Sequence, residues 1–414
     1  MRLYIRAILK YNGHGMREVE AMQYPMSRRR DLGTYAAVFG AMIAIFAAMH
    51  IITGTKTLAY PYPSYLLQAQ AWLRGEISIP NYEYLELAVF DGRCYVSFPP
   101  VPSVPMALYA LIFGNSVPAG LFQKIYIMIA AALILSELLR TGRLGRWECA
   151  AWSVLFCLGS AMLPISLVGA VWYEAQILAF LFSVSAIIAV RRGHITTACV
   201  CYALAIGCRP FSALLGPVLA VIYLRGAGSL RDKLLRAVPG LLFGIAIACA
   251  YAAYNYMRFG DPLEFGHNYL PEFTRADHGQ LSFAYLWPNL KTFLFGSPVS
   301  IGADGTVSLN LFAFSMFLSC PMILVSLIWF ISDIFRRRAD SLDVLIFSMQ
   351  AANVILLCMH RTLGGYQFGA RYALELMPLC LLRLLRREKP GRWALILLAV
   401  GLIFNFIGGC MVHV

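Results

Sequence analysis

Long, near-continuous apolar runs recur from one end of this sequence to the other, and they constrain the fold more than any other feature. A helix needs about 20 predominantly apolar residues to cross a bilayer. Of the 414 residues, 60% are hydrophobic and 13% charged, against about 45–50% and about 25% in soluble domains. Mean hydropathy is +0.68. One or two soluble cores cannot hide so much apolar surface, so a soluble globular protein is excluded. Disorder, collagen and coiled coil are excluded by the long apolar runs and the lack of a short repeat. A membrane β-barrel would alternate apolar and polar residues over stretches of about ten, which this chain does not do. The expectation is an all-α polytopic membrane protein.

The runs place spans at about 35–53, 118–139, 148–168, 174–190, 195–209, 211–224, 237–257, 308–332, 342–360, 372–386 and 393–412, about eleven in all. Cytoplasmic loops of membrane proteins are rich in Lys and Arg. With the N-terminus inside, 24 of the 34 Lys and Arg residues fall on the cytoplasmic side. They include Arg28–Arg30, Arg140, Arg143, Arg146, Arg191, Arg192, Arg336–Arg338, Arg383, Arg386 and Arg387. One span more or fewer would invert every later loop. For this reason 99–113, short and proline-rich, is expected at the interface, and 195–224 is expected as a hairpin broken at Arg209-Pro210. The first run is too long for a cleavable signal peptide. The expected organisation is a cytoplasmic tail, 1–33, and one transmembrane domain, 34–414. Its outer loops are 54–117, carrying interfacial helices, 258–307 and 361–371, and the C-terminus lies outside. A membrane location follows, which the family resemblance given below narrows to the cell's inner (plasma) membrane.

Net charge is +13. The basic residues sit between apolar spans, which points to topology and anionic headgroups rather than to nucleic acid. The 11 cysteines form no CxxC, and all but Cys94 fall in apolar runs, so they read as small core residues. The chain also lacks DxD, P-loop, GxGxxG and HExxH motifs.

Chemistry is expected in the outer loops, where acids, amides and aromatics occur together, a mixture suited to stacking on and hydrogen bonding sugars. The same aromatics also suit an interfacial belt. Four short motifs in order, Asp91–Pro100, Arg209-Pro210, Arg258–Gly266 and Gln367–Tyr372, resemble the GT-C superfamily of membrane glycosyltransferases. Within it the chain is similar to glycosyltransferase family 39 and protein mannosyltransferase-like bacterial proteins. The resemblance covers most of 34–386 and implies a GT-C-like fold. It also implies transfer of a sugar from a polyprenyl-phosphate donor to a glycan, lipid or protein acceptor at the outer membrane face. The alternatives are a non-catalytic lipid-sugar-binding partner subunit and a transporter of lipid-linked sugar.

Such a transfer needs a carboxylate to take the acceptor proton and fixed positive charge for the departing phosphate. The family usually places its acid soon after the first helix, but 54–75 contains no Asp or Glu. Asp91 is the first choice, with Glu76, Glu83 and Glu86 as alternatives; Asp91-Gly92 also reads as a hairpin turn. The resemblance places the phosphate at Arg371, beside Tyr372, with Arg209 and Arg361 assisting. Arg371 could instead pair with Glu375 at i+4. Tyr95, Trp287 and His267 are the candidates for binding sugar or acceptor. No cofactor is required by any motif. His267, Glu272, Asp277 and His278 are candidates for a divalent metal, although their spacing matches no known ligand pattern. Glu174 reads as a helix-start acid, and Asp340 and Asp343 as caps of the helix near 342.

Overall fold

The computed structural model describes residues 28–55, 61–80 and 86–412, and over these the chain is a helical, multi-pass membrane protein. Glu83 and most of the expected cytoplasmic tail lie outside the described residues. Helix α1 is Arg28–Thr53. The loop after it carries α2, Ser64–Leu73, strands β1, Leu87–Phe90, and β2, Arg93–Val96, and α3, Ser103–Phe113. Next come α4, Ala119–Thr141, α5, Arg146–Leu158, and the single turn α6, Met162–Ile165. Helices α7, Val171–Arg191, α8, Ile195–Ile206, α9, Gly216–Arg225, and α10, Leu230–Phe259, follow. The second long loop holds α11, Pro271–Thr274, α12, Phe283–Phe295, and a hairpin of β3, Val299–Ile301, and β4, Val307–Leu309. The chain closes with α13, Met316–Ser319, α14, Pro321–Phe335, α15, Ser341–Met359, α16, Met377–Arg386, and α17, Arg392–Met411.

Helix is present at all eleven expected places, but not as eleven full spans. Among the described residues, six helices are long and apolar enough to cross a membrane: α1, α4, α7, α10, α15 and α17. The stretches α3, α8, Pro210–Arg225 and α14 are apolar but shorter. Proline explains several of the breaks, since it has no N–H to continue the helical ladder. Pro210 opens a 3-10 turn, Pro210–Leu215, before α9, and Pro321 starts α14. The expected hairpin at Arg209-Pro210 forms, and the Tyr202 hydroxyl on α8 donates to the Ala213 carbonyl across it (2.8 Å).

Helix α7 is the axis of the bundle. Its apolar stretch is 89% buried, against 11% for α10, and it packs on α4, α8, α9 and α16. Helix α10 lies on α8. Gly240 permits this contact, because a Cβ there would stand 2.9 Å from the Thr196 Cα.

One end of the bundle carries arginines tied to acids. Fully buried Glu137 accepts from Arg140, Arg191 and Arg192 at 2.9–3.2 Å. Asp343 accepts from Arg383 and Arg386, and Asp340 from Arg225 and Arg386. Asp340 and Asp343 also form the capping box of α15. The two long loops gather at the other end.

Candidate functional site

The first loop is held by its hairpin. Asp91 and Gly92 both take positive φ, 49° and 71°, the pattern of a two-residue turn whose twist matches the flanking strands. The register pairs Ala88 with Tyr95, and both are buried with Phe259 at the end of α10. Arg258, itself buried, donates to the Val96 carbonyl and to Asn255 Oδ1, both at 2.7 Å, and lies 4.3 Å from the Tyr254 ring centre. A charge in this position needs such partners, and they bolt the hairpin to α10. Beyond β2, the Ser97 hydroxyl donates to the Glu86 carbonyl (2.9 Å), and His267 Nδ1 donates to the Ser97 carbonyl.

The two loops and the ends of three helical segments enclose a cavity of about 220 Å³. Phe98 and Pro99 come from the first loop, Arg209 from the break after α8, and His267, Asn268 and Gln280 from the second loop. Glu264, also of the second loop, His360, after α15, and Tyr372, before α16, line it too. Arg209 donates through Nε (2.8 Å) and Nη2 (2.5 Å) to Glu375 Oε1. Glu375 therefore pairs with Arg209, not with Arg371 one helical turn away, because the 3-10 turn Arg371–Leu376 aims it elsewhere.

Arg371 lies behind Tyr372. Its guanidinium is 4.7 Å from the Tyr372 ring centre, and that of Arg209 is 5.0 Å from the same ring. The Arg371 carbonyl accepts from Gln176 Nε2 of α7 (2.8 Å), which sets its place in the bundle. Gly364, at φ +89°, leaves room for the side chain; a Cβ there would stand 2.9 Å from Arg371 Nε. Arg371 Nε and Nη1 are buried and have no hydrogen-bond partner among the described residues, and the same holds for Arg361 Nη1. Buried donors of this kind are normally paired, so an anion-sized acceptor suits them.

Glu86, just before β1, is the carboxyl group coupled to this guanidinium. Loss of hydration and the nearby Glu272 raise its pKa to about 7, opposed by Arg371. A carboxyl group poised near neutrality within the electrostatic reach of a buried cation is equipped for proton transfer and anion binding.

The other sequence candidates are placed elsewhere. Asp91 is exposed at the hairpin tip and does not line the cavity. Glu76 is exposed and pairs with Arg74 at 2.9 Å. Tyr95 is buried beneath the hairpin, and Trp287 is exposed on α12. His267, Arg209 and Tyr372 do line the cavity. Glu174 is buried in the first turn of α7. Among the described residues, no three His, Cys, Asp or Glu side chains converge on a common point for a metal ion. Sequence reasoning missed Gln280, Gln176 and the Arg209–Glu375 pair. They are scattered over the chain with no shared spacing, and only the i+4 relation of Glu375 to Arg371 hinted at a site.

No family model and no curated protein matches this chain. Among solved structures, it is similar to ArnT from Cupriavidus metallidurans bound to undecaprenyl phosphate. The TM-score is 0.51 at 13% identity, over 90% of this chain and 76% of that one. The apo state of the same protein gives a TM-score of 0.50 at 14% identity, with the same coverage. The apo oligosaccharyltransferase from Archaeoglobus fulgidus gives 0.49 at 12% identity, over 90% of this chain and 56% of that chain. The likeness is one of fold alone: the chain shares the architecture of ArnT, a GT-C-like arrangement of helices.

Proposed function

We propose that this protein transfers a sugar from a polyprenyl-phosphate donor to an acceptor hydroxyl at the outer face of the cytoplasmic membrane. The observation that carries this reading is the buried guanidinium of Arg371, two of whose N–H groups have no partner among the described residues, with the Glu86 carboxyl group, raised to about 7, within its electrostatic reach. Glu86 replaces Asp91 as the base in this proposal, because Asp91 is committed to an exposed turn. The neighbour bound to undecaprenyl phosphate shares the fold, which agrees with a lipid phosphate at the loop end of the bundle. The arginine-rich opposite end agrees with a cytoplasmic placement of that end.

In the proposed step, ionised Glu86 accepts the proton of the acceptor hydroxyl as its oxygen bonds to the anomeric carbon. The bond from that carbon to the phosphate oxygen breaks, and the electron pair leaves with the lipid phosphate. Arg371 donates to the phosphate oxygens, and Arg361, whose Nη1 is likewise a buried donor without a partner among the described residues, assists. These donors are fixed before the charge develops, so little reorganisation opposes the step. Arg209 is already balanced by Glu375 and serves to hold Tyr372.

The test is transfer from radiolabelled polyprenyl-phosphate sugars by purified, lipid-reconstituted protein, comparing wild type with Glu86→Gln, Arg371→Ala and Asp91→Asn. Loss of transfer in the first two, with Asp91→Asn unaffected, supports the reading. Donor binding without transfer in the wild type would instead make the chain a lipid-sugar-binding partner subunit.

A further inference from the structure

The cavity and the phosphate-binding guanidinium are adjacent but chemically different. Arg371 does not line the cavity, whereas Tyr372, whose ring it contacts, does. Tyr372 is therefore shared by the two, which puts the cavity within reach of a ring attached to a phosphate held at Arg371.

Two charged residues line that cavity, and each is already matched. Arg209 is neutralised by Glu375. Glu264 accepts from the Gly266 amide through Oε1 (2.5 Å) and from Asn268 Nδ2 through Oε2 (2.6 Å), and it lies within the electrostatic reach of buried Arg258. The two imidazoles are neutral. Lost hydration, reinforced by His360, lowers His267 to about 3, and lost hydration lowers His360 to about 4. What remains to meet a ligand is uncharged: the Gln280 amide, the imidazoles and the rings of Phe98 and Tyr372. Rings and neutral donors and acceptors bind the faces and hydroxyls of a sugar. An ammonium or a carboxylate entering here would lose its hydration without gaining an unmatched counter-charge.

We infer that the cavity above Arg209 takes the glycosyl ring of the lipid-linked donor and selects an uncharged sugar over amino sugars and uronic acids. This inference rests on the donor reading made above, and binding tests it separately from transfer.

The probes are short-chain prenyl phosphates carrying a hexose, an amino sugar, a uronic acid or no sugar. They compete for the full-length protein in nanodiscs, read by native mass spectrometry. Tighter binding of the hexosyl lipid, by at least tenfold over both charged sugars, supports the inference. Equal binding of all three, tighter binding of a charged sugar, or equally tight binding of the sugar-free lipid overturns it. Gln280→Glu places an unmatched carboxylate in the cavity. It should shift the ratio of amino-sugar to hexosyl binding by at least tenfold and leave the sugar-free lipid unchanged; an unchanged ratio counts against the inference. Selective binding with no transfer would refute the catalytic proposal and leave this inference standing. Loss of binding by every probe would refute both.

Discussion

At the scale of single residues, Glu86 gives the sharpest test. Its pKa near 7 means that it must lose its proton to act as the base, so transfer should rise with pH through about 7 and then level. Arg371 holds this pKa down, and Arg371→Lys should keep the rise near the same pH. Glu272 pushes it up, so Glu272→Gln should move the rise to lower pH. Glu86→Gln should lower transfer about 10²–10⁴-fold, the usual worth of a general base, with its thermal unfolding midpoint near wild type. A flat pH profile in wild type would remove Glu86 from the chemistry. Asp91→Asn should retain transfer within about twofold, since Asn also tolerates positive φ. Asp91→Val should lower the unfolding midpoint, because a β-branched residue at φ 49° is strained.

Elements decide how these residues meet. The β1–β2 hairpin brings Ser97 beneath Glu86, and Arg258 secures the hairpin to α10. Arg258→Met keeps the bulk of the side chain but leaves the Val96 carbonyl without its charged donor. A loss of about 1.5–3 kcal/mol is expected for that bond. Hydrogen exchange across 87–96 should rise more than exchange within α7. Equal protection in variant and wild type would show that apolar contacts with Phe259 hold the hairpin unaided. Gly364→Ala is expected to displace Arg371 and reduce donor binding. Its φ of +89° and the 2.9 Å approach to Arg371 Nε both act against a side chain there.

For the whole molecule, the arginine-bound acids matter to stability rather than to transfer. Glu137 is fully buried and bonded to three arginines. Removing one member of a buried ionic set leaves the others uncompensated, at about 3–5 kcal/mol. Glu137→Ala should therefore lower the unfolding midpoint far more than Arg74→Ala, which breaks an exposed pair worth about 0–1 kcal/mol. Similar midpoints for the two variants would place the bundle's stability elsewhere.

Hydrophobicity and charge order act over windows of about twenty residues, and one sequence suffices to read them. They determined the helical membrane class, the places of the helices, the break at Arg209-Pro210, the turn at Asp91-Gly92 and the cap at Asp340. Lengths of individual helices were less legible, because a proline or glycine that ends a helix leaves the apolar run unbroken. The site was legible only in part. Arg371, Arg209, Tyr372, His267 and Glu86 were all candidates by residue type and loop. Nothing in their spacing showed that Glu375 would turn to Arg209, that Asp91 would stay in solvent, or that Glu86 would come within the electrostatic reach of Arg371. Those choices depend on where segments over a hundred residues apart come together, and on which charges that packing strips of water. Only the tertiary structure decides both.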